Sequence, residues 1–357
     1  MKKQLKTLIG IGTAFLFIFS IMMVLSAASR AELPKVMTIT CYPIGSSGTI
    51  LATAFSDTIE KKTGIRCRPT PADADMARLL PVRNGEAQAT IVTASTTYQA
   101  SNGLEDFSGK MWGPQRLRYV FGGNVIQHGI GVKANSGIKT WADLKGKRVA
   151  VGAGVGKLST PGFLAYGGLS MKDVVAVPAG GYMHGIKTVM AGGADACHLC
   201  PSSPISKEWE SNPYGLRYMP MSKDDKAAWD RMRKFASFMA SPIWTTTGGL
   251  GEGGPKWLAY YPYTMSAYDT TPEDQIYTIV KVMVEGRDLY KNVKKPESEQ
   301  WTIEASLDLE KPVYIPFHPG FIKYAKEKGL WKAEHEAFQV QMLKEEEERI
   351  KAWKAKK

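Results

Sequence analysis

The sequence predicts an α/β protein of two domains, on three observations. Strand-like and helix-like segments alternate along nearly the whole chain, the pattern of parallel sheets covered by helices. Beyond an apolar leader, about 326 residues remain, too many for one core and suited to two. The composition, 44% hydrophobic and 22% charged, is that of an ordinary globular protein.

The leader sets the compartment. Lys2, Lys3 and Lys6 precede the uncharged stretch Leu8 to Ala28, and small residues follow in "SAASRA". This is the layout of a secretory signal over 1–31, and cleavage is favoured over an uncleaved anchor. About twenty apolar residues would just span a bilayer, so the anchor stands as the alternative. Either outcome exports the remainder, and a periplasmic location is expected. The formal charge of +12 suits nucleic acid, anionic lipid or anionic solutes. The basic residues are scattered rather than gathered with aromatics, and the chain is exported, so nucleic acid ranks last.

The elements follow in order. "KVMTIT" (35–40) reads as a strand, and "GTILATAFSDTIEKKTG" (48–64) as a helix closed by Gly64. "IRCRPTP" is a second strand, "ADMARLLPVRNGE" a helix broken at Pro81, and "QATIVTA" a third strand with a helix from about Ser95. "RLRYVFGG" and "GIGVKAN" come next, then the loop "SGIKTWADLKGK" and the strand "RVAVG". "VVAVPAG", a helix through "HGIKTVMAGG" and the strand "ADACHL" continue the alternation. Past residue 215, "KDDKAAWDRMRKFASFM" is amphipathic, 244–268 is rich in aromatics and glycine, and "PEDQIYTIVKVMVEGRDLY" is a helix opened by Pro272. The tail over 341–357 belongs to a charged helix, read as a solvated face rather than a partner-binding one.

Four loops carry the polar signal. "CYPIGSSGT", "TASTT", "GAGVGKLSTPG" and "CPSSP" each place Gly, Ser or Thr between a strand and a helix start. That rim is where ligands bind in parallel α/β sheets, and its helix N-termini suit anions. Any one such loop is more readily explained by helix capping, worth around 1 kcal/mol. Four of one character in a two-domain protein favour a cleft.

The third loop resembles a nucleotide loop but fails its spacing. A P-loop needs four residues between its first glycine and Gly-Lys, whereas Gly152 and Gly156 enclose only three and Leu158 follows Lys157. The dinucleotide fingerprint would need glycine at the position of Lys157. No nucleotide or other cofactor is expected. The five histidines (128, 184, 198, 318, 335) fall at no triad or metal spacing, and G-x-S-x-G does not occur, so the chain is read as no enzyme. His318 is expected to cap or pack a C-terminal turn.

Cys41, Cys67, Cys197 and Cys200 would meet an oxidising compartment. "CHLC" at 197–200 reads as a buried strand with two small thiols; a redox pair is the alternative, and no second C-x-x-C supports a metal. A Cys41–Cys67 bridge between neighbouring strands stands open beside two free thiols.

Four stretches together resemble the TAXI family of solute receptors, the binding proteins of TRAP transporters: "PIGSSGTILATAFSDTIEKKTG", "QATIVTASTTYQASNG", "GIGVKANSGIKTWADLKGKRVAVGAGVGKLSTPG" and "HPGFIKYAKEKGLW". The likeness covers about 36–332. It implies a two-lobed periplasmic-binding-protein fold (type II-like) with a ligand cleft between the lobes. The first lobe would take 32–128 and 223–340, the second 129–222. It also implies a small organic anion as ligand, a dicarboxylate or keto acid being favoured, and TRAP membrane subunits as partners.

Carried over by position, Ser46, Ser47, Gly48 and Thr49 would hold one carboxylate, with Thr93, Ser95 and Thr96 as the second site. The family's pattern often places an acidic residue near Ser95, and its absence disfavours an amino-acid ligand. In the third loop Ser159 and Thr160 are expected at the ligand, and Lys157 is either a charge partner for a second carboxylate or a surface lysine. Tyr182, Cys200, His128 and Trp244 are wall residues, with core packing as the rival. An exported thiol enzyme built on Cys197 and Cys200, or a membrane-anchored sensor of the same fold, are the alternatives in function.

Overall fold

A computed structural model describes residues 33–244, 257–311 and 313–356. The leader read as a signal lies outside the described residues. In the described part no helix is long and apolar enough to cross a membrane.

The first sheet gathers the strands that open the chain. β1 (Val36–Cys41) pairs in parallel with β2 (Arg66–Pro71) and with β3 (Ala89–Thr93). Helices α1 (Ser47–Thr63), α2 (Asp75–Arg83, with Pro81 inside) and α3 (Ala94–Asn102) connect and cover them. Next comes a strand of 17 residues, β4 (Leu117–Lys133), where the sequence suggested two separate runs.

The second sheet contains β5 (Arg148–Gly152), β6 (Val175–Ala179), β7 (Ala196–Leu199) and the short β8 (Leu216–Tyr218). Helices α4 (Val155–Tyr166), α5 (Tyr182–Met190), α6 (Pro204–Glu210) and α7 (Lys226–Arg233) accompany them. The chain returns through β9 (Ala240–Trp244) and β10 (Trp257–Tyr268), then α8 (Glu273–Glu285), α9 (Ile303–Leu307), α10 (Pro319–Glu327) and α11 (Ala333–Lys354).

Strand β4 belongs to both sheets. Its residues from Leu117 to His128 pair with β10, giving the order β2-β1-β3-β10-β4. From Gly129 onward it pairs with β7 and β8, giving β4-β7-β5-β6. The ladder therefore changes partner between His128 and Gly129. This is the two-lobed α/β architecture expected from the sequence.

Each sheet buries its own apolar set. Met37, Ile39, Leu51, Phe55, Ile59 and Ile91 are fully buried around the first. Around the second, Val149, Phe163, Ile186, Ala196, Leu199 and Trp209 form one cluster. Ala228, Trp229, Met232, Phe238 and Met239 join that same cluster, so the segment after 222 packs on the second sheet. Fully burying side chains of this size stabilises by about 1.5–3 kcal/mol each.

Two sequence expectations change here. In the parallel ladder Cys67 faces Met37 while Cys41 faces Pro71, four residues further along. At about 3.3 Å per residue that separates the two cysteines by roughly 13 Å, beyond the reach of a disulfide. All four cysteines are free and buried. The charged tail is the second case. Its helix begins at Ala333 and is docked rather than only solvated: the Gln339 side chain accepts from the Phe317 N–H and donates to the Phe317 carbonyl. Glu346 meets Arg118 through two bonds of 2.7 and 3.0 Å, both side chains almost fully buried. A face counted as charged by sequence hides its one buried carboxylate among four consecutive glutamates.

Candidate functional site

Strand ends from both sheets converge on one cavity. β1 delivers Tyr42 and β3 delivers Thr93, whose hydroxyl accepts a hydrogen bond from the Tyr42 hydroxyl at 3.3 Å. β7 runs into Cys200, and the first turn of α5 carries Tyr182, whose hydroxyl accepts from the Cys200 N–H at 2.9 Å. The crossing strands β4 and β10 supply the remaining wall, with His128, Tyr261 and Tyr263; His198 of β7 completes it. These eight side chains line a partly open cavity of about 20 Å³, room for one water as the side chains stand. A neighbouring hollow shares Tyr182 and His198 and is lined further by Gly152 and Ala153 at the end of β5 and Gly156 in the first turn of α4.

The wall is built around a pair of imidazoles. His128 Nδ1 and His198 Nε2 lie 3.0 Å apart, and the Tyr261 hydroxyl is 3.3 Å from the same His198 nitrogen. The Tyr261 ring stacks on His128 at 3.8 Å between centroids and 8° between planes. Burial drives both imidazoles toward the neutral form, His198 to about 3 and His128 well below its ordinary value, the latter aided by its neighbour His198. Burial likewise raises the Tyr182, Tyr261 and Tyr263 phenols, so they are hydroxyls rather than phenolates.

A buried ion pair stands behind Tyr42. The Arg78 guanidinium lies 3.8 Å from the centre of the Tyr42 ring, pairs with the Asp75 carboxylate, and donates to the carbonyls of Ala72 at 2.7 Å and Asp73 at 3.0 Å. Asp75 also accepts from the Thr96 hydroxyl at 2.9 Å. An acid thus reaches the neighbourhood of Ser95 from α2, although none is adjacent in sequence, and it is matched by its arginine.

The residues singled out by sequence divide into groups. Thr93, Tyr182 and Cys200 line the cavity together. Thr96 lies one hydrogen bond behind, 3.3 Å from the Thr93 hydroxyl. Ser159 and Thr160 are fully buried in α4, with Ser159 beside the Tyr261 hydroxyl. The first glycine loop is occupied with its own helix: Ser46 caps α1 by accepting from the Thr49 N–H at 3.2 Å, and Thr49 donates to the carbonyls of Tyr42 and Pro43. Gly48 lies against the Tyr42 ring, and Ser47 reaches the Ser202 carbonyl at 3.4 Å. Ser95 accepts from Gln99 within α3. Lys157 pairs with Asp106. Trp244 ends β9, and its side chain lies outside the described residues. His318 caps α10, its Nδ1 accepting from the Gly320 N–H.

Tyr42, His198, Tyr261 and Tyr263 were not singled out as ligand residues by sequence. One signal existed: Tyr261 and Tyr263, two apart on a strand, share a face. The same holds for Asp75 and Arg78, three apart on a helix.

Thiol chemistry is disfavoured by the surroundings. Burial pushes Cys200 up to about 11 and Cys197 further, which leaves both as inert thiols at neutral pH. What the site offers is hydrogen bonding from neutral imidazoles and hydroxyls.

The sequence matches the NMT1-like family over residues 37–329, most of its length. The chain belongs to that family. Solved structures similar to this NMT1-like protein include the substrate binding protein of an amino acid ABC transporter, at 12% identity and TM-score 0.48 over 74% of this chain and 100% of that one. Another is the alkanesulfonate-binding protein SsuA from Xanthomonas axonopodis pv. citri bound to MOPS, at 18% identity and TM-score 0.47 over 91% and 94%. A third is an ancestral arginine-binding protein bound to arginine, at 14% identity and TM-score 0.47 over 76% and 99%.

Proposed function

We propose that this NMT1-like protein is an extracytoplasmic receptor that closes around a small organic carboxylate and hands it to the membrane subunits of a TRAP-type transporter, without catalysing a reaction. The observation that carries the reading is the position of the cavity, at the point where β4 passes from one sheet to the other, with wall residues from both. Contacts to both sides stabilise a closed form over an open one, which is how a bound solute becomes a signal. We place the first lobe from about 35 to 128 together with the chain from about 240 onward, and the second lobe from 129 to about 239. The second lobe's new limit rests on the packing of Trp229, Met232 and Phe238 against its core.

The wall also narrows the solute. Lys157 is paired with Asp106 and Arg78 with Asp75, and no cation lines the cavity among the described residues. No carboxylate lines it either, so an amino group would lack a counter-ion. A monocarboxylic keto acid fits this wall better than a dicarboxylate or an amino acid.

A thermal-shift screen of keto acids, dicarboxylates and amino acids tests the reading. A true ligand at a hundred times its Kd should add about 2.7 kcal/mol of stability. Failure of every organic anion to stabilise the protein, or best stabilisation by an amino acid, would overturn it.

A further inference from the structure

We propose that a carboxylate enters this cavity together with one proton, which it shares with the His128–His198 pair. The inference rests on the carboxylate reading above and concerns the same cavity. Its first support is charge. Transferring an unpaired carboxylate from water into a closed, weakly polar cavity is costly unless an opposite charge accompanies it. The cavity-lining and ring-packed groups around the imidazole pair are neutral: Tyr261 and Tyr263 from β10, Phe163 and Ser159 from α4, Tyr182 from α5, Cys197 and Cys200 from the end of β7, Tyr42 after β1 and Thr93 from β3. The charged groups behind the wall are matched pairs, Arg78 with Asp75 behind the Tyr42 ring and Lys294 with Glu297 at 3.2 Å near Cys200. A solution proton is therefore the counter-charge that remains.

The second support is geometric. His128 Nδ1, His198 Nε2 and the Tyr261 hydroxyl form a continuous hydrogen-bonded chain. His128 Nε2, at the other end of its ring, is buried, belongs to a cavity-lining side chain and has no hydrogen-bond partner among the described residues. In the neutral pair a single proton lies between the two imidazoles. Either His128 donates from Nδ1, leaving Nε2 as an acceptor, or His198 donates from Nε2 and His128 Nε2 carries a hydrogen. The first arrangement receives a protonated carboxylic acid. An imidazolium of His128 receives the anion. Both give the same balance: one anion and one solvent proton enter, no covalent bond changes, and both leave on release. Burial, aided at His128 by its neighbour His198, holds the empty pair neutral, and an adjacent anion opposes that effect directly.

Isothermal titration with pyruvate, 2-oxobutyrate and 2-oxoisovalerate, in buffers of different ionisation enthalpy, tests this on the exported chain. The expected result is uptake of close to one proton per bound keto acid, with affinity falling about tenfold per pH unit between pH 6 and 8. His128→Gln, with His198→Gln as a second variant, should abolish the uptake. Binding with no uptake overturns the shared proton and leaves the carboxylate reading standing. Uptake that persists in both variants overturns the role of the pair. Absence of binding by all three acids, while amino acids or uncharged amides bind, overturns the carboxylate reading and this inference together.

Discussion

The Asp106 carboxylate accepts a hydrogen bond from the Gly154 N–H at 2.8 Å and pairs through its other oxygen with the Lys157 ammonium. Asp106 lies in the turn Glu105–Phe107 that follows α3, whereas Gly154 and Lys157 open α4 of the second sheet. A helix N-terminus that would suit a ligand anion is therefore already capped from across the molecule.

This relationship sets the outcome for the lysine in the third loop. Lys157→Ala should change keto-acid affinity by less than about fivefold, because a partly exposed ion pair contributes at most about 1 kcal/mol. Asp106→Ala removes the cap as well, worth roughly 1 kcal/mol, and should shift the protein toward the open form about fivefold. Small-angle scattering reads the opening and titration calorimetry the affinity. A tenfold or greater loss in Lys157→Ala alone would place its ammonium on the solute.

Asp73 repeats the device at α5. Its carboxylate accepts from the N–H groups of Met183 at 3.1 Å and His184 at 3.3 Å. Gly181 permits the approach, since a Cβ there would clash with the Asp73 carboxylate. Gly181→Ala should therefore oppose closure by about 1–3 kcal/mol, weakening solute affinity by roughly 5- to 150-fold. Because the backbone at Gly181 is extended, the folded lobe itself should melt almost unchanged. The double variant Gly181→Ala with Asp73→Ala should recover part of the affinity. No recovery would mean that the methyl group disturbs something other than this contact.

How much of this was legible in sequence depends on the range of the interaction. The loops after β1, β3, β5 and β7 were readable because Gly, Ser and Thr follow β-rich runs directly, and cap geometry is local. Tyr261 and Tyr263 were not, because what they face is decided by β10 inserting antiparallel between β3 and β4, more than a hundred residues away in sequence. Asp73 and Asp106 left no signature at all, since each caps a helix outside its own neighbourhood. The polar residues of the first glycine loop were legible as a group but not in role: Ser46 and Thr49 satisfy their own helix start.

The Arg78–Asp75 pair makes a stability prediction that separates it from the exposed ion pairs. Both side chains are almost fully buried, and Asp75 holds Thr96 as well. Arg78→Ala leaves a carboxylate buried without its counter-ion and should cost about 3–5 kcal/mol in urea unfolding. Lys207→Ala, at an exposed pair with Glu210, should cost less than about 1 kcal/mol. Equal losses in the two variants would contradict the burial of the first pair.

His318 predicts how stability responds to acid. Its Nδ1 accepts from the Gly320 N–H at 3.1 Å, and Nε2 lies 3.0 Å from the Thr271 carbonyl, to which only a protonated Nε2 can donate. The neutral ring satisfies both contacts, whereas a second proton would set an N–H against the Gly320 N–H. Burial is the main cause that lowers this imidazole to about 4; the Thr271 carbonyl opposes the shift and the Arg118 charge assists it. In the unfolded chain histidine titrates near 6.5. Below that pH the unfolded state binds a proton that the folded state refuses, so stability is intact above about 6.5 and declines as pH falls toward 4. The slope from this residue is about 1.4 kcal/mol per pH unit. Urea unfolding at pH 7, 6, 5 and 4.5 should show that decline, and His318→Gln should flatten it by close to one histidine's share. An unchanged slope in the variant would show that His318 does not refuse the proton, and that the acid response arises elsewhere.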